Sequence, residues 1–188
     1  NQSPSADTLK ALDRYTIKGE VTDASGNRLT GFNGNVYPVI FDKVQQIKTF
    51  GNDATSTVAT FNQQANIIFK GKAKVTNGQF SYTFVVPKDI NYQFGNGKIN
   101  YYAEDGTKDG KGAETSIIVG GAGTNPISDQ TGPTIKGWLN DKKFVNGGIA
   151  NQTPVLLLNL FDSSGINTVG TGIGHDLIAT LDNDNSRF

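Results

Sequence analysis

The chain has 188 residues, room for one large or two small domains. Its 17 basic and 17 acidic residues cancel to a formal net charge of +0, without the basic excess of a nucleic-acid binder or the lysine run of a polybasic membrane anchor. Cysteine is absent and histidine occurs once, which excludes disulfides, a cysteine nucleophile and a His–Cys zinc site within the chain.

Only 36% of residues are hydrophobic, but 11 Phe and 6 Tyr supply the bulk for thin cores of the kind found between sheets. The 23 Gly and 6 Pro fall between short β-branched and aromatic runs, which is strand-and-turn punctuation. Tyr15–Val21 alternates and meets a turn at Ala24-Ser25-Gly26-Asn27. Asn35–Asp42 reads as a second strand, with Pro38 marking it as an edge or a bulge because proline cannot donate to a ladder. Asn66–Val75 leads into Thr76-Asn77-Gly78, a strong hairpin signal, and Phe80–Val86 answers it. Lys98–Ala103 and Glu114–Val119 complete this first set. Thr8–Leu12 and Val44–Phe50 are the only stretches with the look of a helical turn, and neither sustains a 3.6-residue period.

The pattern stops between Gly120 and Pro133, a Gly-, Asn- and Ser-rich stretch that reads as a linker. A second strand set follows at Thr134–Asn140, Phe144–Val145, Pro154–Phe161 and Asp176–Leu181. Leu156-Leu157-Leu158 suits a buried strand. The expected fold is therefore all-β: two consecutive immunoglobulin-like β-sandwich domains, 1–122 and 123–188, the second too short to be complete. The chain starts without Met, and no stretch is long and apolar enough for a membrane-spanning helix or a signal-peptide core. It is expected to be processed or cut from a longer protein.

Few residues invite chemistry. His175 stands beside Asp176, but no cysteine and no Gly-x-Ser-x-Gly elbow offers it a nucleophile. It is expected at the start of a strand, bonded to loop backbone. Asp182 and Asp184, with Asp162, are candidate calcium ligands, although the ordered loop of an EF-hand is missing. Gly165 to Gly174 lacks the Lys-Ser/Thr of a phosphate loop and reads as turns. Asp42, Asp89 and Asp162 are scattered, without the pairing that acid–base work needs. Trp138 and the tyrosines serve either core packing or the stacking of sugars. No cofactor is expected.

Several phrases, in order, carry a resemblance. They are Phe32-Asn33-Gly34 with Val39-Ile40-Phe41-Asp42-Lys43, then Phe69-Lys70-Gly71 with Val75-Thr76-Asn77-Gly78-Gln79-Phe80 and Phe84-Val85-Val86-Pro87-Lys88-Asp89-Ile90. Asp129-Gln130-Thr131-Gly132-Pro133-Thr134-Ile135, Phe161-Asp162-Ser163-Ser164-Gly165-Ile166-Asn167 and Gly172-Ile173-Gly174-His175-Asp176 follow. From about Leu12 to Asp182 the chain resembles the region behind the peptidase domain in the PorU-like sortases of the Bacteroidetes type IX secretion system. The resemblance implies a parent that is a gingipain-like cysteine peptidase at the outer membrane surface. Such a parent removes the C-terminal signal domain of exported cargo and transfers the new terminus to an amine. That chemistry needs a Cys thiolate beside a His. No catalytic residue of the family carries over to this sequence, His175 included. The implied role is support and docking, with cargo signal domains and other secretion-system subunits as partners. The competing expectation is a free-standing adhesion or carbohydrate-binding module.

Overall fold

The computed structural model describes residues 8–124, 126, 131–163, 165, 166, 178 and 180. The described residues are all-β and fall into two compact units, one holding the strands up to Ala122 and the other those from Thr134 to Phe161. In chain order the first unit carries β1 (Thr8–Ala11), β2 (Arg14–Glu20), β3 (Gly34–Phe41), β4 (Gln45–Lys48), β5 (Thr60–Gln63), β6 (Ile67–Lys70) and β7 (Ala73–Thr76). It continues with β8 (Gln79–Val85), β9 (Gly95–Asn96), β10 (Lys98–Glu104), β11 (Asp109–Glu114) and β12 (Ile118–Ala122).

A seven-stranded sheet runs β11-β10-β3-β7-β8-β2, with β6 also on β3, and a smaller sheet runs β1-β12-β9. Alternation decides which face each residue serves. Ile17, Ile40, Phe84 and Ile99 of the large sheet meet Leu9, Ala11 and Val119 of the small one in a single buried cluster. Fully burying side chains of this kind contributes roughly 1.5–3 kcal/mol each.

The turn between β7 and β8 is set by two residues. Asn77 and Gly78 have φ of 52° and 73°, the type I′ geometry that an Asn-Gly pair favours. Asn33 Oδ1 accepts the Asn77 N–H at 2.9 Å, and the Phe32 carbonyl accepts the Gly78 N–H at 2.9 Å. A Cβ at Gly78 would press on the Leu29 carbonyl oxygen. Gly78→Ala is expected to lower unfolding stability by about 1–3 kcal/mol, because it adds that clash to left-handed strain. Urea unfolding of the variant checks it, and no loss would contradict the turn geometry.

The structure corrects several expectations. Thr8–Leu12 makes no helical turn: β1 pairs in parallel with β12, and Leu9 and Ala11 point inward. Val44–Phe50 contributes β4, zipped to the polar β5 that its composition concealed. Asn66–Val75 is two strands, split at Gly71 and Lys72, and Glu114–Val119 divides between β11 and β12. β12 continues through Gly120 and Gly121, where the sequence already reads as linker. Pro38 is no edge marker, since β3 lies between β10 and β6/β7. Its carbonyl accepts the Gly71 N–H at 3.1 Å, so its polar side faces the break between β6 and β7. There a missing N–H leaves no ladder bond unmade.

Among its described residues the second unit shows one antiparallel pair, β13 (Thr134–Leu139) with β14 (Leu156–Phe161), in register from Thr134↔Phe161 to Leu139↔Leu156. Phe144–Val145 is irregular. Ile135, Leu156, Leu158 and Phe161 are each about half exposed or more. Leu156-Leu157-Leu158 is therefore not the buried strand that its apolar run suggests. The strand expected at Asp176–Leu181 lies outside the described residues apart from Ile178 and Thr180.

Candidate functional site

The large sheet curls, and its two outer strands, β2 and β11, face one another across an open groove of about 200 Å³. Among the described residues β2 pairs only with β8 and β11 only with β10, so each presents a free backbone edge to the groove. Its floor is Val36, Phe80, Ile99, Tyr101 and Ala103. Register explains why β11 leaves the space unfilled. Opposite the inward-pointing Ala103 and Tyr101 of β10 stand Gly110 and Gly112 of β11, and a Cβ at either would meet nothing within 4 Å.

Polar groups lie at the floor and in the core beneath it. The Tyr82 hydroxyl donates to the Tyr101 hydroxyl at 3.4 Å; burial, reinforced by Tyr101, pushes the Tyr82 phenol well above the usual 10.0, and burial also raises that of Tyr101. At the far end the Ser116 hydroxyl and N–H donate to Glu114 at 2.6 and 2.8 Å, which lowers the carboxyl below 4.5. The tyrosines set a pH dependence. A phenol whose folded pKa lies above its unfolded one contributes stability that is full below pH 10 and lost as pH rises beyond it. Melting temperature is expected to fall between about pH 9 and 11, and Tyr82→Phe should flatten that fall. An unchanged slope in the variant would contradict the buried pair.

The outer face of the same sheet carries an aromatic pair. Tyr37 of β3 and Tyr102 of β10 stand directly opposite, ring centroids 6.1 Å apart, with Lys72 Nζ 5.4 Å over the Tyr37 ring. Asn35 and the Tyr37 hydroxyl donate to Glu104 at 2.8 and 3.2 Å, which holds that carboxyl below its usual value. Tyr15 and Tyr82, by contrast, pack into the core with Phe84, and Trp138 is half-buried in the second unit.

The sequence candidates for chemistry are not brought together into a catalytic group. Asp42 is buried against Lys43, Asp89 is exposed, and Asp162 is half-buried in the second unit. His175, Asp182 and Asp184 lie outside the described residues, as do most of the glycines from Gly165 to Gly174. Among the described residues no group of three or more His, Asp or Glu side chains is placed to hold a metal ion. No helix among them is long and apolar enough to cross a membrane. The groove itself escaped sequence reading; the one available signal was Gly110-x-Gly112 with Lys111 between.

The architecture is that of an all-β, sandwich-type protein with a curled sheet. The chain is similar to a stretch of PorU from Porphyromonas gingivalis, as seen in the crystal structure of the dimeric latent form. The two are 36% identical, with a TM-score of 0.63, over 91% of this chain. The chain spans 16% of the length of that PorU chain. No protein-family model matches the sequence, and no curated protein does either.

Proposed function

We propose that the chain is a non-catalytic β-sandwich region of a type IX secretion sortase, a cell-surface C-terminal signal peptidase. In this reading it supports the upstream cysteine peptidase and docks its cargo. The observation that carries the reading is the likeness to PorU, 36% identical across 91% of the chain. The absence of cysteine supports a non-catalytic role, since the sortase reaction needs a thiolate nucleophile. The protein then works on the extracellular face of the outer membrane, with cargo signal domains and other secretion-system subunits as partners. Pro38 offers no edge for docking, because β3 is interior; among the described residues β2 and β11 are the end strands of the large sheet's path. The complete reading frame tests this. A Cys- and His-bearing peptidase domain upstream is the expected result, and a frame without one would overturn it.

A second reading, a free-standing carbohydrate-binding or adhesion module, has one observation in its favour. The Tyr37–Tyr102 pair, flanked by Lys72, Glu104 and Asp109, is a half-exposed aromatic platform with hydrogen-bonding neighbours. Saturable binding of soluble glycans that is lost in Tyr102→Ala would favour it.

A further inference from the structure

We propose that the groove between β2 and β11 takes up an extended peptide segment of another protein, which inserts as an additional strand between the two edges. The inference goes beyond the secretion reading and stands on the groove's own geometry.

Among the described residues two unpaired edges of one sheet confront each other across this space, so an inserted backbone would find donors and acceptors on both sides. The β2 and β11 strands run in opposite directions around the sheet. The inserted segment would therefore lie antiparallel to one and parallel to the other. Its inward side chains would enter the space left by Gly110 and Gly112, above Phe80 and Tyr101. Small apolar residues such as valine suit that volume and floor.

Charge selects the other face. Lys18 of β2 and Lys111 of β11 both line the groove, both are exposed, and among the described residues neither has an ion-pair partner. Glu20, by contrast, is engaged by Arg28 and Gln79. Lysines on open edges discourage pairing with a second uncharged or basic edge. They favour a segment whose outward residues are acidic. The occupant is thus an extended peptide that alternates small apolar with acidic residues.

The test uses the whole chain and a labelled, capped peptide alternating valine with glutamate, matched to the seven and six residues of β2 and β11. A valine–lysine peptide is the counterpart. Fluorescence anisotropy should show saturable binding of the acidic peptide, at least tenfold tighter than the basic one. Hydrogen exchange should slow at residues 14–20 and 109–114. Gly112→Val separates binding from folding. A Cβ at Gly112 meets nothing within 4 Å and its φ is not positive, so the valine side chain has open groove to enter; melting temperature should hold or rise while affinity falls at least tenfold. Reversal of both charges, Lys18→Glu with Lys111→Glu, should invert the preference between the peptides. The proposal is overturned if neither peptide binds, or if Gly112→Val binds as tightly as the parent. It is also overturned if protection appears elsewhere, or if β2 and β11 are already protected without peptide because the edges close on each other.

Discussion

Replacing Lys43 with methionine is expected to remove about 3–5 kcal/mol of stability, because it breaks a buried ion pair. Lys43 Nζ lies 2.7 Å from Asp42 Oδ1 and also donates to the Asn91 carbonyl at 2.7 Å and the Val119 carbonyl at 3.2 Å. The two side chains are only 12% and 6% exposed. Asp42 in turn accepts the Lys43 N–H at 2.8 Å and the Asn91 N–H at 3.4 Å, while its backbone is held by Asn66 and Gln64. The pair thus joins the end of β3 to the 91 loop and to β12. Methionine leaves a buried carboxylate without its cation, and a melting temperature lower by roughly 10–15 °C is expected. The double variant Asp42→Asn/Lys43→Met should recover part of the loss, because no unpaired charge remains. If the double variant were as unstable as the sum of the singles, the pair would not be coupled as described.

Phe84→Ala is expected to cost about 3–5 kcal/mol. Phe84 is 5% exposed, stacks on Phe69 at 4.8 Å between centroids and touches Tyr15 and Tyr82 at 6.3 and 6.2 Å. It is the inward residue of β8 where that strand meets the small sheet's contribution to the core. Truncation opens a cavity that stacked rings cannot collapse into without leaving their rotamers. Phe50, at 87% exposed beside β4, is the control, and Phe50→Ala should change stability by less than about 0.5 kcal/mol. Equal effects in chemical denaturation would contradict the assigned core.

Much of the first unit could be read from residues alone. Alternation in Tyr15–Val21, Asn35–Phe41, Phe80–Val85 and Lys98–Ala103 marks strands because one face of each is buried and the other is not. Asn77-Gly78 names its own turn. What could not be read depends on neighbours. Asp109–Glu114 has no strand propensity and becomes a strand because β10 offers it a ladder. Thr8–Ala11 is too short for its period to separate helix from strand, and its parallel partner lies far along the chain. Asp42 beside Lys43 looks like an ordinary solvated pair and is buried only because the 91 loop and β12 close over it. The groove was illegible for the same reason, since it exists only where curling brings β2 and β11 face to face.

Calorimetric titration of the 188-residue chain with a purified C-terminal signal domain of exported cargo tests the proposed docking role most directly. A saturable isotherm at micromolar affinity, about −8 kcal/mol, is the expected result, and soluble glycans in a parallel cell should give no heat. No heat from the signal domain, together with binding of the glycans, would contradict the account and make the Tyr37–Tyr102 platform the working surface.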